Sequence, residues 1–131
     1  MKLILVDSDV LIDVLRQIPV GVEALVAAKA QAPLAISIVS RMEVVVGSAN
    51  SESLQRAEGL LRQLEIIWVS DEISRVADGS VTRYSLSHSR RIPDAFIAAT
   101  ALVYDVPRLS KNQRDYRFIP GLKLLPYPAA R

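Results

Sequence analysis

Four acidic residues, Asp7, Glu43, Asp94 and Asp115, stand where apolar runs give way to polar ones. Asp7 follows Leu3-Ile4-Leu5-Val6. Glu43 comes shortly after Leu34-Ala35-Ile36-Ser37-Ile38-Val39. Asp94 opens the apolar segment Ala95-Phe96-Ile97-Ala98-Ala99-Thr100-Ala101. Asp115 trails Leu109, with Ser110 and Asn112 between them. Carboxylates brought to close quarters repel one another, and the cluster is then partly protonated or holds a cation. The chain has no cysteine and one histidine, so thiolate sites and a His-rich zinc site are excluded. Oxygen ligands remain, which suit Mg²⁺, Mn²⁺ or Ca²⁺. The chemistry such a cluster supports is metal-assisted attack of water on a phosphodiester. Each acid also has a plainer reading. Asp7, Glu43 and Asp94 are placed to stabilise helix N-termini, and Asp115 is a turn acid. Ser40-Arg41-Met42-Glu43 has the spacing of a capping box.

The elements that must position these residues alternate. Residues 2–6 form a short apolar run, as expected of a strand buried on both faces. A helix is expected over 10–15, capped by Ser8 or Asp9, and a second over 20–30 after Pro19. A strand is expected over 34–39, with Ser40 capping the helix that carries Glu43. An amphipathic helix fits 52–64, a strand 66–69, and a helix from 71 to about 87 with Ser70 as its cap. Pro93 suits the first turn of a helix running to 104, because its missing N–H costs nothing there. A short strand at 107–110, a loop or helical turn at 112–116 and a last strand at 122–125 complete the chain. Strands alternating with helices imply a three-layer α/β/α fold around a mainly parallel sheet of four or five strands. Ligands then bind beyond the carboxyl ends of the strands, which is where Asp7, Glu43 and Ser110 fall.

The 131 residues suit one domain spanning 1–131. No apolar run is long enough to cross a bilayer, and the first residues lack the pattern of a signal peptide. Net charge is only +2, yet residues 83–117 hold Arg83, Arg90, Arg91, Arg108, Lys111, Arg114 and Arg117 against Asp94, Asp105 and Asp115. A basic face beside carboxylates suits a polyanion, with Arg90, Arg91 and Lys111 as candidate phosphate contacts. His88 is expected at the surface and Trp68 in the core. The helix over 52–64 packs on its own core or contributes to a groove for a second copy or a partner.

Taken together, these stretches resemble the PIN-domain family. Leu5-Val6-Asp7-Ser8-Asp9-Val10-Leu11-Ile12-Asp13 resembles its opening motif, and Ser40-Arg41-Met42-Glu43-Val44-Val45-Val46-Gly47 its second. The third is matched by Ile92-Pro93-Asp94-Ala95-Phe96-Ile97-Ala98-Ala99-Thr100-Ala101-Leu102. The fourth is matched by Ser110-Lys111-Asn112-Gln113-Arg114-Asp115-Tyr116 with Ile119-Pro120-Gly121-Leu122. Order and spacing agree across nearly the whole chain, and the length suits the single-domain toxins of VapBC toxin–antitoxin systems. The resemblance implies a PIN-like fold and a Mg²⁺- or Mn²⁺-dependent endoribonuclease. It also implies a cytoplasmic homodimer, neutralised by a cognate antitoxin. Asp7, Glu43 and Asp94 match the acidic triad, and Asp115 the acid before an aromatic. Ser8, Asp9, Ser110 and Asn112 match positions lining the pocket. Two departures stand out: Asp9 where the family more often has Ser, Thr or Asn, and Asn112 where some relatives carry an acid. The alternatives are a PIN-like nuclease acting on DNA or in RNA processing, and a binding module that has lost catalysis. The three retained acids speak against the second of these.

Overall fold

The computed structural model describes residues 3–87 and 91–129. In chain order the elements are β1 (Ile4–Val6), α1 (Ser8–Leu15), α2 (Pro19–Gln31), β2 (Leu34–Ser37), α3 (Ile38–Val46) and α4 (Ser51–Leu61). They continue with β3 (Glu65–Ile67), α5 (Asp71–Tyr84), α6 (Ile92–Tyr104), β4 (Arg108–Leu109) and α7 (Gln113–Tyr116). The four strands lie in the order β3-β2-β1-β4, and every pairing is parallel. Parallel neighbours require crossovers, and helices provide them. All four carboxyl ends therefore open on one edge.

The strands bury both faces, which is why they read as continuous apolar runs rather than as an alternation. Ile4 and Val6 of β1, with Leu34 and Ile36 of β2, pack against Val10, Leu11, Ala24, Ala28, Val44, Ala57 and Leu61 from α1 to α4. Leu5 and Ala35, one residue out of phase, face the other way. They meet Ile67, Ile73, Ala77, Ala95, Ile97, Ala99 and Ala101. The result is the expected three-layer α/β/α arrangement. Helix α6 is the most deeply embedded: Ala95 and four consecutive residues from Ile97, together with Ala101, are buried. Thr100 is tolerated there because its hydroxyl donates to the Phe96 carbonyl at 2.8 Å.

Several local expectations need correction. Strand β2 stops at Ser37, not at residue 39, because Ser37 caps α3 and accepts from the Val39 N–H at 3.1 Å. Ser40 lies inside α3 as a fully buried residue and is not its cap. Likewise α1 starts at Ser8 with Asp7 as its cap, in place of Ser8 or Asp9. The last strand reduces to a single bridge between Leu124 and Arg108. Gly121, in the left-handed region at φ 79°, turns the chain just before it, and Pro126 follows. Trp68 lies just past β3, which is an outermost strand, and is 66% exposed rather than in the core. His88 and Arg90 lie outside the described residues.

Candidate metal centre

Asp7 leaves the carboxyl end of β1, one of the two inner strands, and is itself nearly fully buried. Its two carboxylate oxygens have different tasks. Oδ1 accepts the Ser8 backbone N–H at 2.8 Å. Oδ2 accepts the Arg108 Nη2–H at 2.6 Å and the Ser110 hydroxyl at 2.9 Å. Arg108 and Ser110 come from the neighbouring strand β4 and the residue after it, so the β1–β4 register (Leu5 opposite Arg108, Val6 opposite Leu109) delivers both to Asp7.

Glu43 is reached from the same turn. The Ser8 hydroxyl lies 3.0 Å from Glu43 Oε1 and 3.5 Å from Asp7 Oδ1. A hydroxyl has one hydrogen to give, and the shorter contact to Glu43 takes it. The capping-box reading of Glu43 is thereby corrected: this carboxylate bonds across the structure to α1 and not back to the start of its own helix. Burial pushes the Glu43 carboxyl above its ordinary range, the Ser8 hydrogen bond pulls it down, and Asp7 and Asp94 both push it up further. Arg91 opposes them. Asp94 is half-buried in the first turn of α6. Three carboxylates from β1, α3 and α6 thus share one electrostatic neighbourhood at the carboxyl edge of the sheet.

Asp9 belongs to the outer part of the same group. It accepts the Lys111 backbone N–H at 3.2 Å, and its Oδ2 lies 3.4 Å from the Ser110 hydroxyl. Burial, with the Asp7 charge second, raises its carboxyl to about 6, against smaller opposing effects from the Lys111 N–H and Arg108. Ser110 also accepts the Asn112 backbone N–H at 3.1 Å. The Asn112 side chain makes no capping bond to α7. Asp115 lies in α7, and its side chain is outside the described ones. Arg91 is exposed next to the acids. Lys111 is turned elsewhere: its ammonium pairs with the buried Asp13 at 2.9 Å, and Asp13 also accepts the Tyr127 hydroxyl at 3.1 Å.

Two participants were not singled out from the sequence. Asp13 looked like one more residue of α1. Arg108 looked like part of a basic surface, but it is wholly buried, with its guanidinium 3.9 Å above the Tyr116 ring. Burial, the largest single effect, would lower its pKa; Asp7 and Tyr116 together outweigh that and hold it above the ordinary value. A signal was available, since Arg108 stands between apolar neighbours in a segment short enough to be a strand beside the one that ends in Asp7.

Among the described residues, no three acids approach closely enough to hold an ion between them as the side chains stand. The donor set itself fits a hard divalent cation. It consists of carboxylates and hydroxyls without sulfur, and the upward push on Glu43 from Asp7 and Asp94 is a repulsion that a cation relieves.

A model of the PIN domain matches residues 4–119. Ribonuclease VapC10 of Mycobacterium tuberculosis is 37% identical over 122 residues, covering 92% of this chain and 91% of the relative. Ribonuclease VapC19 of the same organism is 31% identical over 122 residues, covering 91% and 96%. Among solved structures, a toxin–antitoxin complex from Klebsiella pneumoniae superposes with a TM-score of 0.78 at 29% identity, over 97% of this chain and 98% of that one.

Proposed function

The chain belongs to the PIN-domain family, and on that premise we propose that it is a metal-dependent endoribonuclease toxin of a toxin–antitoxin pair. The observation that carries the reading is the convergence of Asp7, Glu43 and Asp94 at one sheet edge, where Glu43 feels the charge of the other two. Likeness to the two mycobacterial ribonucleases supports RNA as the substrate. Likeness to the Klebsiella complex supports an antitoxin partner. Asp7, Glu43 and Asp94 would hold Mg²⁺ or Mn²⁺, with Asp115 as a further candidate. When bound, such an ion polarises the phosphodiester and lowers the pKa of an attacking water.

The residues of the chain have separable tasks in this scheme. Ser8 ties Glu43 to the α1 terminus, so two acids from distant segments are held by one hydroxyl. Ser110 and Arg108 orient Asp7 from behind. Arg91, exposed beside the acids, draws a phosphate toward them, and Arg90 is proposed for the same role. Lys111 is engaged with Asp13 and is the weaker candidate for substrate contact. The groove lined by Ile12, Leu15 and Val44 together with Arg16 and Arg56 is the surface we assign to an amphipathic, acidic segment of the antitoxin. A cytoplasmic homodimer completes the reading; among the described residues no helix is long and apolar enough to cross a membrane.

The test is cleavage of RNA with Mg²⁺ or Mn²⁺, with EDTA, and with Asp94→Asn. Cleavage should require the ion, and the variant should lose at least about 100-fold in rate, as expected when a charge-stabilising group is removed. Cutting in EDTA, or full activity of Asp94→Asn, would sink the reading.

A further inference from the structure

Asp7 is the acid most completely used by the protein itself. A carboxylate offers about four lone-pair positions, two on each oxygen. On Oδ2 both are filled, one by Arg108 Nη2 at 2.6 Å and one by Ser110 Oγ at 2.9 Å. On Oδ1 the Ser8 N–H fills one at 2.8 Å. The Ser8 hydroxyl gives its hydrogen to the closer Glu43, so one position on Oδ1 stays open.

Arg108 cannot step aside to free a second. Its side chain is fully enclosed, its backbone is fixed in β4 beside β1, and its guanidinium is stacked 3.9 Å from the Tyr116 ring centroid. Its Nε and Nη1 have no acceptor in hydrogen-bonding geometry, so the pairing with Asp7 is the bond that justifies burying the charge. Two-ion sites place their ions about 3.5–4 Å apart, and an acid that bridges them must offer two open lone-pair positions, of which Asp7 has one left. A fixed positive charge in contact with Asp7 also opposes a second dication.

We propose that Arg108 limits the centre to a single divalent ion, bound through Asp7 Oδ1, by permanently occupying the other oxygen. Arg108 is a positioning residue here: it acts on the ion through Asp7. The proposal rests on the metal reading given above, and the experiment separates the two. Mn²⁺ is titrated calorimetrically into the full-length protein in the absence of RNA. One ion per wild-type chain is expected. In Arg108→Met, with folding checked by circular dichroism, a second Mn²⁺ should bind and the first should bind at least tenfold more tightly; one ion in the folded variant would overturn the proposal. If that variant does not fold, Arg108→Gln removes the charge but keeps a donor for Asp7, and the same tightening is expected. Two ions per wild-type chain would overturn the single-ion proposal and leave the metal reading standing. Unchanged or weaker Mn²⁺ binding in a folded Arg108 variant would do the same. No Mn²⁺ binding by the wild type would overturn both.

Discussion

At the scale of single residues, the acids compete as much as they cooperate. Asp9 is raised from 3.8 to about 6 because it is buried beside the Asp7 charge. A carboxyl whose folded value exceeds its unfolded one holds its proton more tightly in the native state. Its contribution to stability is present below about pH 4 and is lost as the pH rises through about 6. Asp9→Asn keeps an oxygen for the Lys111 N–H and removes the charge. In EDTA it should stabilise the protein at pH 7.5 by on the order of 1–2 kcal/mol, after a discount for the exposed part of the group. That corresponds to a rise in Tm of roughly 3–6 °C, and the advantage should disappear at pH 4. A Tm difference that does not change with pH would contradict the assignment. The acids themselves were legible in the sequence, because a carboxylate at the end of an apolar run is conspicuous in residue types alone. Arg108 was not. Whether an arginine is solvated or buried depends on which strand lies beside it, and the β1–β4 register is a tertiary fact.

At the scale of elements, the crossing of α1 and α2 leaves no room for a side chain at Gly21. A Cβ at Gly21 would come within 2.7 Å of Asp13 Cβ, and Asp13 holds both Lys111 and Tyr127. Gly21→Ala should therefore cost about 1–3 kcal/mol by overpacking, readable as a lower urea midpoint. Gly59→Ala, whose added Cβ would meet nothing, should be neutral or slightly stabilising because it sits inside α4. The helices were readable from periodicity and punctuation. Element ends were less so, for specific reasons. Ile38-Val39 extends an apolar β-branched run and looks like strand, yet the Ser37 side chain can satisfy the N–H of Val39 and start a helix three residues earlier than a Ser40 cap would. Leu122, Leu124 and Leu125 looked like a strand, but a chain that meets β4 at one bridge has no room for a ladder.

At the scale of the whole molecule, the α/β/α layering followed from the order of elements, since parallel strands with helical crossovers admit few arrangements. The nearness of Asp7 and Asp94 to Glu43 followed too, because all strands in such a sheet end on one edge. The proposed division of labour between edges and faces was not visible. The acid cluster lies at the carboxyl edge, whereas the groove of Ile12, Leu15 and Val44 lies among α1, α3 and α4. The two functions should be separable by mutation. Ala49→Arg, at an exposed position lining that groove, should weaken antitoxin binding at least tenfold in a pull-down or calorimetric titration while metal-dependent RNA cleavage is retained. Loss of both together would mean that groove and centre are one surface.

Trp68 carries a practical consequence. It is the only tryptophan in the chain, and the folded protein already leaves it 66% exposed just past an outermost strand. An indole in water emits much the same light whether its chain is folded or not. Intrinsic fluorescence should therefore report denaturation poorly, and near-native emission in strong denaturant would not be evidence of residual structure. The same lamp becomes useful for arrivals, because whatever covers that corner of the molecule darkens or blue-shifts a signal with no other tryptophan behind it.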